Sequence, residues 1–270
     1  MFSNRTPVVH AGRPGRTPAP WLPGEERILP LRAHAALTPT FADLTVMEGV
    51  TGLYDGRLAS DGWSSTAHIA RLTQSPIVVI LDISSAARTV AATVLGLREF
   101  DPTITMAGVI LNKAGSQRHA DEVRRSIEQL GVRVLGVLPR DTGVSAPSRH
   151  LGLVPVAERP EAQRALDRLA EQTAELIDLD AIIEIASAAP DLDVDPWSPP
   201  VRASASGRIV AVAGGRAFTF RYSETDELLR AQGLVPVVVD PAGDTSLPAG
   251  TAGLYLGGGF PEVHAGSLSG

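Results

Sequence analysis

The chain has 270 residues, 44% hydrophobic and 20% charged, with 30 acidic side chains against 24 basic ones and a net charge of −6. At roughly 150 residues per domain this length predicts about two domains with a sizeable core, and no global basic field is present to hold nucleic acid or an anionic membrane, so any anionic ligand must be bound locally. The absence of cysteine removes disulfides, thiolate metal ligands and cysteine nucleophiles from these residues.

The first forty residues carry seven prolines, which predicts an irregular opening segment. Met1–Pro7 lacks the apolar core of a signal peptide, and no apolar run approaches the ~18 residues of a membrane helix, so a cytoplasmic location is expected. From Asp43 onward, short β-branched runs at Leu44–Met47, Ile77–Ile83, Ala107–Leu111 and Val132–Leu138 predict parallel strands buried on both faces. The segments between them have helical spacing, with Val90, Val94 and Leu97 on one face and Ala120, Val123, Ile127 and Leu130 on the next, ended by Gly131. This order predicts a doubly wound, mostly parallel α/β sheet whose ligands gather at the carboxyl ends of the strands. A further helix is expected from Pro160 through Ala165, Leu169 and Leu176 towards Ala181–Ala188.

Residues 190–207, with Asp191, Asp193, Asp195 and three prolines after 190, predict an exposed linker between a first domain over 1–189 and a second over 208–270. The second opens with a strand at Ile209–Ala213. A capping-box pattern, Ser223-Glu224-Thr225-Asp226, then starts a helix that ends near Gly233. Strands at Val235–Val239 and Gly253–Leu256 follow, the latter running into Gly257-Gly258-Gly259-Phe260-Pro261-Glu262. Three strands and one helix are few for a finished domain.

Several positions are candidates for chemistry. Glu48 and Asp55 lie seven residues apart across Gly49, Gly52 and a strand end, where hard carboxylate oxygens suit Mg²⁺ and its bound phosphates; a glycine-rich turn with solvated acids is the alternative. Asp82 repeats the arrangement at the end of its own strand, with Ser84, Ser85 and Arg88 as donors at the next helix start, or serves only as a cap. Ser64-Ser65-Thr66 either binds an anion or caps a helix. Asn112 can both donate to and accept from the edge of an adenine, or sit in a turn. The one lysine, Lys113, follows Asn112, so the Gly-Lys-[Ser/Thr] ending of a P-loop is absent. Gly257–Gly259 exposes backbone N–H groups suited to an oxyanion, or forms a tight turn.

Taken together the motifs resemble one family, the cobyrinic (hydrogenobyrinic) acid a,c-diamide synthases. The resemblance is carried by His10-Ala11-Gly12-Arg13-Pro14, Pro20-Trp21-Leu22, Glu48 to Gly56, Ser65-Thr66-Ala67, Gly108 to Asn112, Leu138-Pro139-Arg140-Asp141 and Arg149 to Pro155. In the second domain Ala217-Phe218-Thr219-Phe220 and Leu256 to Glu262 extend it.

That resemblance implies a P-loop NTPase-like domain lacking its P-loop, followed by part of a class I glutamine amidotransferase-like α/β domain. It implies an ATP- and Mg²⁺-dependent ligase that amidates the a and c acetates of a corrin with ammonia taken from glutamine. Glu48 and Asp55 are then the catalytic, metal-organising acids. Asn112, Ser65 and Thr66 are ATP contacts, Tyr54, Asp82 and Arg88 corrin contacts, and Gly258 and Gly259 the oxyanion loop. The implied partners are a corrin tetrapyrrole carboxylate and glutamine, with no nucleic acid and no membrane, and a homodimer is compatible.

Departures from the family pattern are Thr17-Pro18-Ala19, where an acid is usual, Thr51 in place of Met, and the missing P-loop and nucleophilic cysteine. They lead to the expectation of an internal portion of such an enzyme that alone neither hydrolyses ATP nor releases ammonia from glutamine. The alternatives are a cobyric acid synthase fragment and a non-catalytic nucleotide-binding or partition-type relic. A dethiobiotin synthetase would match only the first domain.

Overall fold

The computed structural model describes residues 7–10, 44–49, 51–141, 144, 160–191, 199 and 207–269, the side chains of 7–10, 160–163, 223 and 224 excepted. Most of the expected linker, the 149–155 motif and the segment 11–43 lie outside the described residues. Those described fall into two compact units, one holding 7–10, 44–49, 51–141, 144 and 165–191, the other 160–164, 199 and 207–269.

The first unit is built on a parallel sheet of β3 (Ile77–Asp82), β4 (Met106–Ala114) and β5 (Val134–Pro139), in that order. Val79 stands beside Val109 and Leu111 beside Val137 in the registers. These strands bury both faces, as their uninterrupted β-branched runs require. On one face lie α1 (Thr66–Thr73), α2 (Thr89–Phe100) and α3 (Gln117–Glu128), which bring Ala67, Ala70, Val90, Val94, Ala120, Val123 and Ile127 against Ile77, Val79, Leu81 and Val109. The 3.6-residue spacing seen in the sequence is thus the buried stripe itself. Gly131, at φ +74°, closes the last turn after α3 in the left-handed region that glycine adopts freely.

The opposite face is covered by Ile177 and Ala181, packed on Val78, Ile110 and Leu135. Here the single long helix expected from Pro160 to Ala188 is two, α4 (Pro160–Leu176) and α5 (Leu179–Ser187). The break is caused by Asp178, whose backbone N–H donates to Leu135 O (2.8 Å) while its carboxylate accepts from Ala181 N–H (2.9 Å) and caps α5. Gly136 makes the approach possible, since a Cβ there would stand 2.5 Å from Leu176 O.

The strand expected at Leu44–Met47 forms, as β2 (Thr45–Glu48), but not in the parallel sheet. It pairs antiparallel with β1 (Pro7–His10), Glu48 opposite Pro7. The physical reason is its alternating burial, with Val46 59% exposed: one side meets solvent, which suits an antiparallel ribbon and not a central parallel strand.

The second unit contains β6 (Arg208–Ala213), α6 (Ser223–Ala231), β7 (Leu234–Val239) and β8 (Thr251–Tyr255), with a short α7 (Ala265–Leu268). Its strands are parallel in the order β7-β6-β8, so the chain reverses direction across the sheet at β6, and the ends of β6 and β8 flank a topological switch point. The expected capping box does not act as one. Helix α6 begins at Ser223 behind Tyr222, whose side chain does not cap, and the Asp226 carboxylate is instead taken by Arg221 and Arg230.

Candidate functional site

After β2 the backbone turns within the glycine-rich stretch. Asp55 N–H donates to Gly52 O (3.2 Å), and Thr51 Oγ1 donates to Asp55 O (2.9 Å). The turn is anchored on both flanks: Leu53 is buried and its carbonyl accepts from Ala67 N–H (2.9 Å), while Tyr54 packs on Phe100 and its hydroxyl donates to Leu97 O. Asp55 is exposed, with its carboxylate lying over Gly52, where a Cβ would meet Oδ2 at 2.2 Å. Glu48, at the end of β2, is also exposed. The strand end and the loop that follows it therefore each present one carboxylate to solvent, Asp55 beside core-anchored neighbours. Tyr54 is a strut of this loop, its hydroxyl already engaged.

The carboxyl ends of β3, β4 and β5 are laced into a second cluster. Asp82 Oδ2 accepts from Lys113 Nζ (2.7 Å) and Oδ1 from Ser84 N–H (2.9 Å). Asn112 O accepts from Ile83 N–H (2.9 Å), and Asn112 Oδ1 from Lys113 N–H (2.9 Å). Arg140, just past β5, donates from its N–H to Ala114 O (3.0 Å) and from its guanidinium to Ser84 O (3.2 Å). Partial burial by itself would raise Asp82, but the hydrogen bonds from Lys113 and Ser84 outweigh it and hold the carboxyl at about 2, below its ordinary 3.8. Asp82 remains an anion, with its charge answered within the protein.

Asn112 belongs to this cluster, as expected of a residue at the carboxyl end of a parallel strand, although it lies inside β4, which runs three residues beyond the expected Leu111. Two members were missed as site residues. Lys113 was read only as the mark of a missing P-loop, although a solitary lysine at a strand end was a usable signal. Arg140 was visible only as part of a motif, because nothing in the spacing says that β5 lies beside β4.

Ser65 and Thr66 stand apart from the cluster's bonds. Ser65 is buried and its Oγ accepts from His68 N–H (3.1 Å), which makes it the N-cap of α1 with Thr66 as the first helical residue. Capping thus uses the Ser65 hydroxyl as an acceptor. Arg88 is exposed at the N-cap position of α2 and makes no side-chain cap. His68 is buried, with Nδ1 accepting from Ser64 N–H (3.0 Å).

Burial first, and Arg71 second, lower the His68 pKa below its ordinary 6.5. The neutral ring is the folded form, so its contribution to stability is present above pH 6.5 and is lost as pH falls through the folded value. Denaturant midpoints are expected to decline below that pH, and the decline to flatten in His68→Gln; an unchanged slope would remove His68 from the account. Asp82 contributes stability that is lost as pH falls from 3.8 towards 2.

In the second unit, Gly257–Gly259 follows β8 and packs on the segment after β6. Phe220 N–H donates to Gly258 O (3.0 Å) and Phe260 N–H to Ala217 O (3.0 Å). A Cβ on Gly259 would lie 2.1 Å from Ala217 O, and one on Gly258 3.2 Å from the Phe220 side chain. Glycine is required here for backbone contact, at the switch point where an open α/β sheet holds ligands.

Comparison with known proteins gives the same direction. The model of the CobQ/CobB/MinD/ParA nucleotide binding domain matches residues 4–154. A hydrogenobyrinate a,c-diamide synthase of Thermobifida fusca is 52% identical over 96% of this chain and 57% of its own length. One from Streptomyces coelicolor is 41% identical over 97% of this chain and 61% of its own. A cobyrinate a,c-diamide synthase from Synechococcus sp. is 42% identical over 84% of this chain and 50% of its own. The chain thus spans between half and about three-fifths of the length of these relatives. No solved structure matches.

Proposed function

Because the chain belongs to the CobQ/CobB/MinD/ParA nucleotide-binding domain family, we propose that it is part of an ATP- and glutamine-dependent a,c-diamide synthase acting on a corrin. The observation that carries this reading is the 52% identity to the Thermobifida fusca synthase, which runs through both units over 96% of this chain. A nucleotide-binding sheet followed by a second α/β unit with a glycine loop at its switch point is the arrangement such chemistry needs.

In this reading ATP phosphorylates an acetate carboxylate of the corrin, giving an acyl phosphate and ADP. Ammonia then attacks the carbonyl carbon, phosphate leaves with the C–O bond, and the amide remains. The second unit belongs to a glutamine amidotransferase-like domain that supplies the ammonia from glutamine, with the Gly258 and Gly259 N–H groups facing the developing oxyanion. Asn112 meets the adenine edge. Arg88 lies toward the corrin, Tyr54 braces the loop on that side through Leu97 and Phe100, and Asp82, tied to Lys113, shapes the edge that carries Asn112.

Glu48 and Asp55 suit Mg²⁺, which keeps several waters and takes one or two carboxylates, because both are exposed hard-oxygen donors, one at the end of β2 and one in the turn that follows. Among the described residues no group of three or more His, Asp or Glu side chains is placed for a protein-only cage. Bound Mg²⁺ supplies charge neutralisation on the phosphate tail. No helix among the described residues is long and apolar enough to cross a membrane.

The test is direct. Protein made from the complete reading frame that encodes these residues is expected, with MgATP and glutamine, to replace two hydroxyls of hydrogenobyrinic acid by amino groups, read by mass spectrometry. An unaltered corrin would overturn the reading. Residues 1–270 contain neither Gly-x-x-x-x-Gly-Lys-[Ser/Thr] nor cysteine, so by themselves they are expected to show no glutamine-dependent ATP turnover in a coupled ADP assay.

A further inference from the structure

Lys113 is the single lysine of the chain and holds a backbone conformation that side-chain-bearing residues avoid, at φ +60°. It lies where the pairing of β4 with β5 is irregular: Leu111 faces Val137 and Ala114 faces Pro139, so three residue steps on β4 match two on β5. Such a bulge re-aims side chains and recurs beside functional sites.

Its side chain is half exposed (53%) and so is of little worth as a purely structural ion pair, yet Nζ reaches across to the neighbouring strand and holds Asp82 at 2.7 Å. Its backbone N–H, turned by the bulge, takes the Oδ1 of Asn112 at 2.9 Å. With Oδ1 engaged by the backbone, the other hydrogen-bonding atom of the Asn112 amide is Nδ2, a donor. A glycine would adopt this backbone without strain, so nothing in the packing of the fold explains lysine here.

We propose that Lys113 is a positioning residue of the nucleotide site: anchored on Asp82, it holds a left-handed bulge that fixes the Asn112 amide as a donor towards a purine ring nitrogen. The inference rests on the reading of this sheet edge as the nucleotide site. Lys113 acts through Asn112 and does not touch the reacting atoms.

The test uses the enzyme from the complete reading frame. Lys113→Ala is expected to raise the KM for ATP about tenfold while kcat at saturating nucleotide stays within about twofold, a tenfold change corresponding to ~1.4 kcal/mol of lost binding. Lys113→Arg is expected to restore the wild-type KM. Lys113→Gly, which keeps the bulge without its tether, should give an intermediate value. The preference for ATP over CTP should shrink in Lys113→Ala.

Variants that alter thermal stability alone, or lower kcat with KM unchanged, would overturn the proposal. So would failure of Lys113→Arg to rescue. A wild-type enzyme that neither binds nor turns over ATP would instead overturn the nucleotide-site reading, and the two failures are told apart by measuring the wild type first.

Discussion

Exchange of Asp55 for Asn in the complete enzyme is expected to lower nucleotide-dependent turnover about 100-fold or more, with Glu48→Gln of similar size, because a metal's contribution to stabilising phosphoryl charge is worth several kcal/mol. The fold should tolerate both exchanges. Both side chains are exposed, and the loop is anchored by Leu53 and by Tyr54 on Leu97 and Phe100, not by the acids. Steady-state kinetics at increasing Mg²⁺ would show partial recovery in either variant if a weakened metal site is the cause. Wild-type kinetics in both would leave the stretch as a turn carrying solvated acids, the alternative stated from its sequence.

The second large effect concerns stability, and two glycines give opposite signs. At Gly136 an added Cβ would stand 2.4 Å from Ile177 Cδ1 and 2.5 Å from Leu176 O, both on the junction that seats α5 against the sheet. Relief requires backbone movement that uncovers Val78, Ile110 and Leu135. Gly136→Ala is therefore expected to cost ~2–3 kcal/mol. At Gly96, inside α2, no heavy atom lies within 4 Å of the added Cβ, and alanine is the better helix former. Gly96→Ala is expected to stabilise by about 0.5–1 kcal/mol. Denaturant unfolding of the two variants should move the midpoint in opposite directions; a shared direction would contradict the packing described for the β5 face.

Lys113 gives the third comparison, because its variants separate a tethered bulge from a stable one.

How much of this was legible without coordinates depends on whether a feature is local. The strands β3, β4 and β5 and the faces of α2 and α3 followed from apolar spacing, since burial on one or both sides of an element leaves its period in the chain. Ser65 as a cap was legible from its place before an apolar helical run, and its Oγ does accept from His68 N–H. The break between α4 and α5 was not legible: both halves have helical spacing, and what separates them is Asp178 bonding to Leu135 on β5. The place of β2 was missed for a related reason. Its four residues read equally well as an inner parallel strand or as half of a ribbon, and only the partner strand distinguishes them.

The site divides along the same line. Chain order alone determined that acids and amides would stand at strand ends, because parallel strands all finish on one edge and side chains near those ends share a rim. It also determined which chemistry residues 1–270 lack, since a missing cysteine or P-loop lysine needs no folding to be seen. Tertiary structure decided which rim residues meet. Asp82 and Lys113 on two strands and Arg140 just past a third are spread over 59 residues, and their contacts depend on sheet order, on a one-residue irregularity in β4 and on a left-handed backbone at Lys113. Periodicity cannot carry that information, because a hydrogen bond between strands is a property of two segments at once, and each segment's sequence records only its own burial.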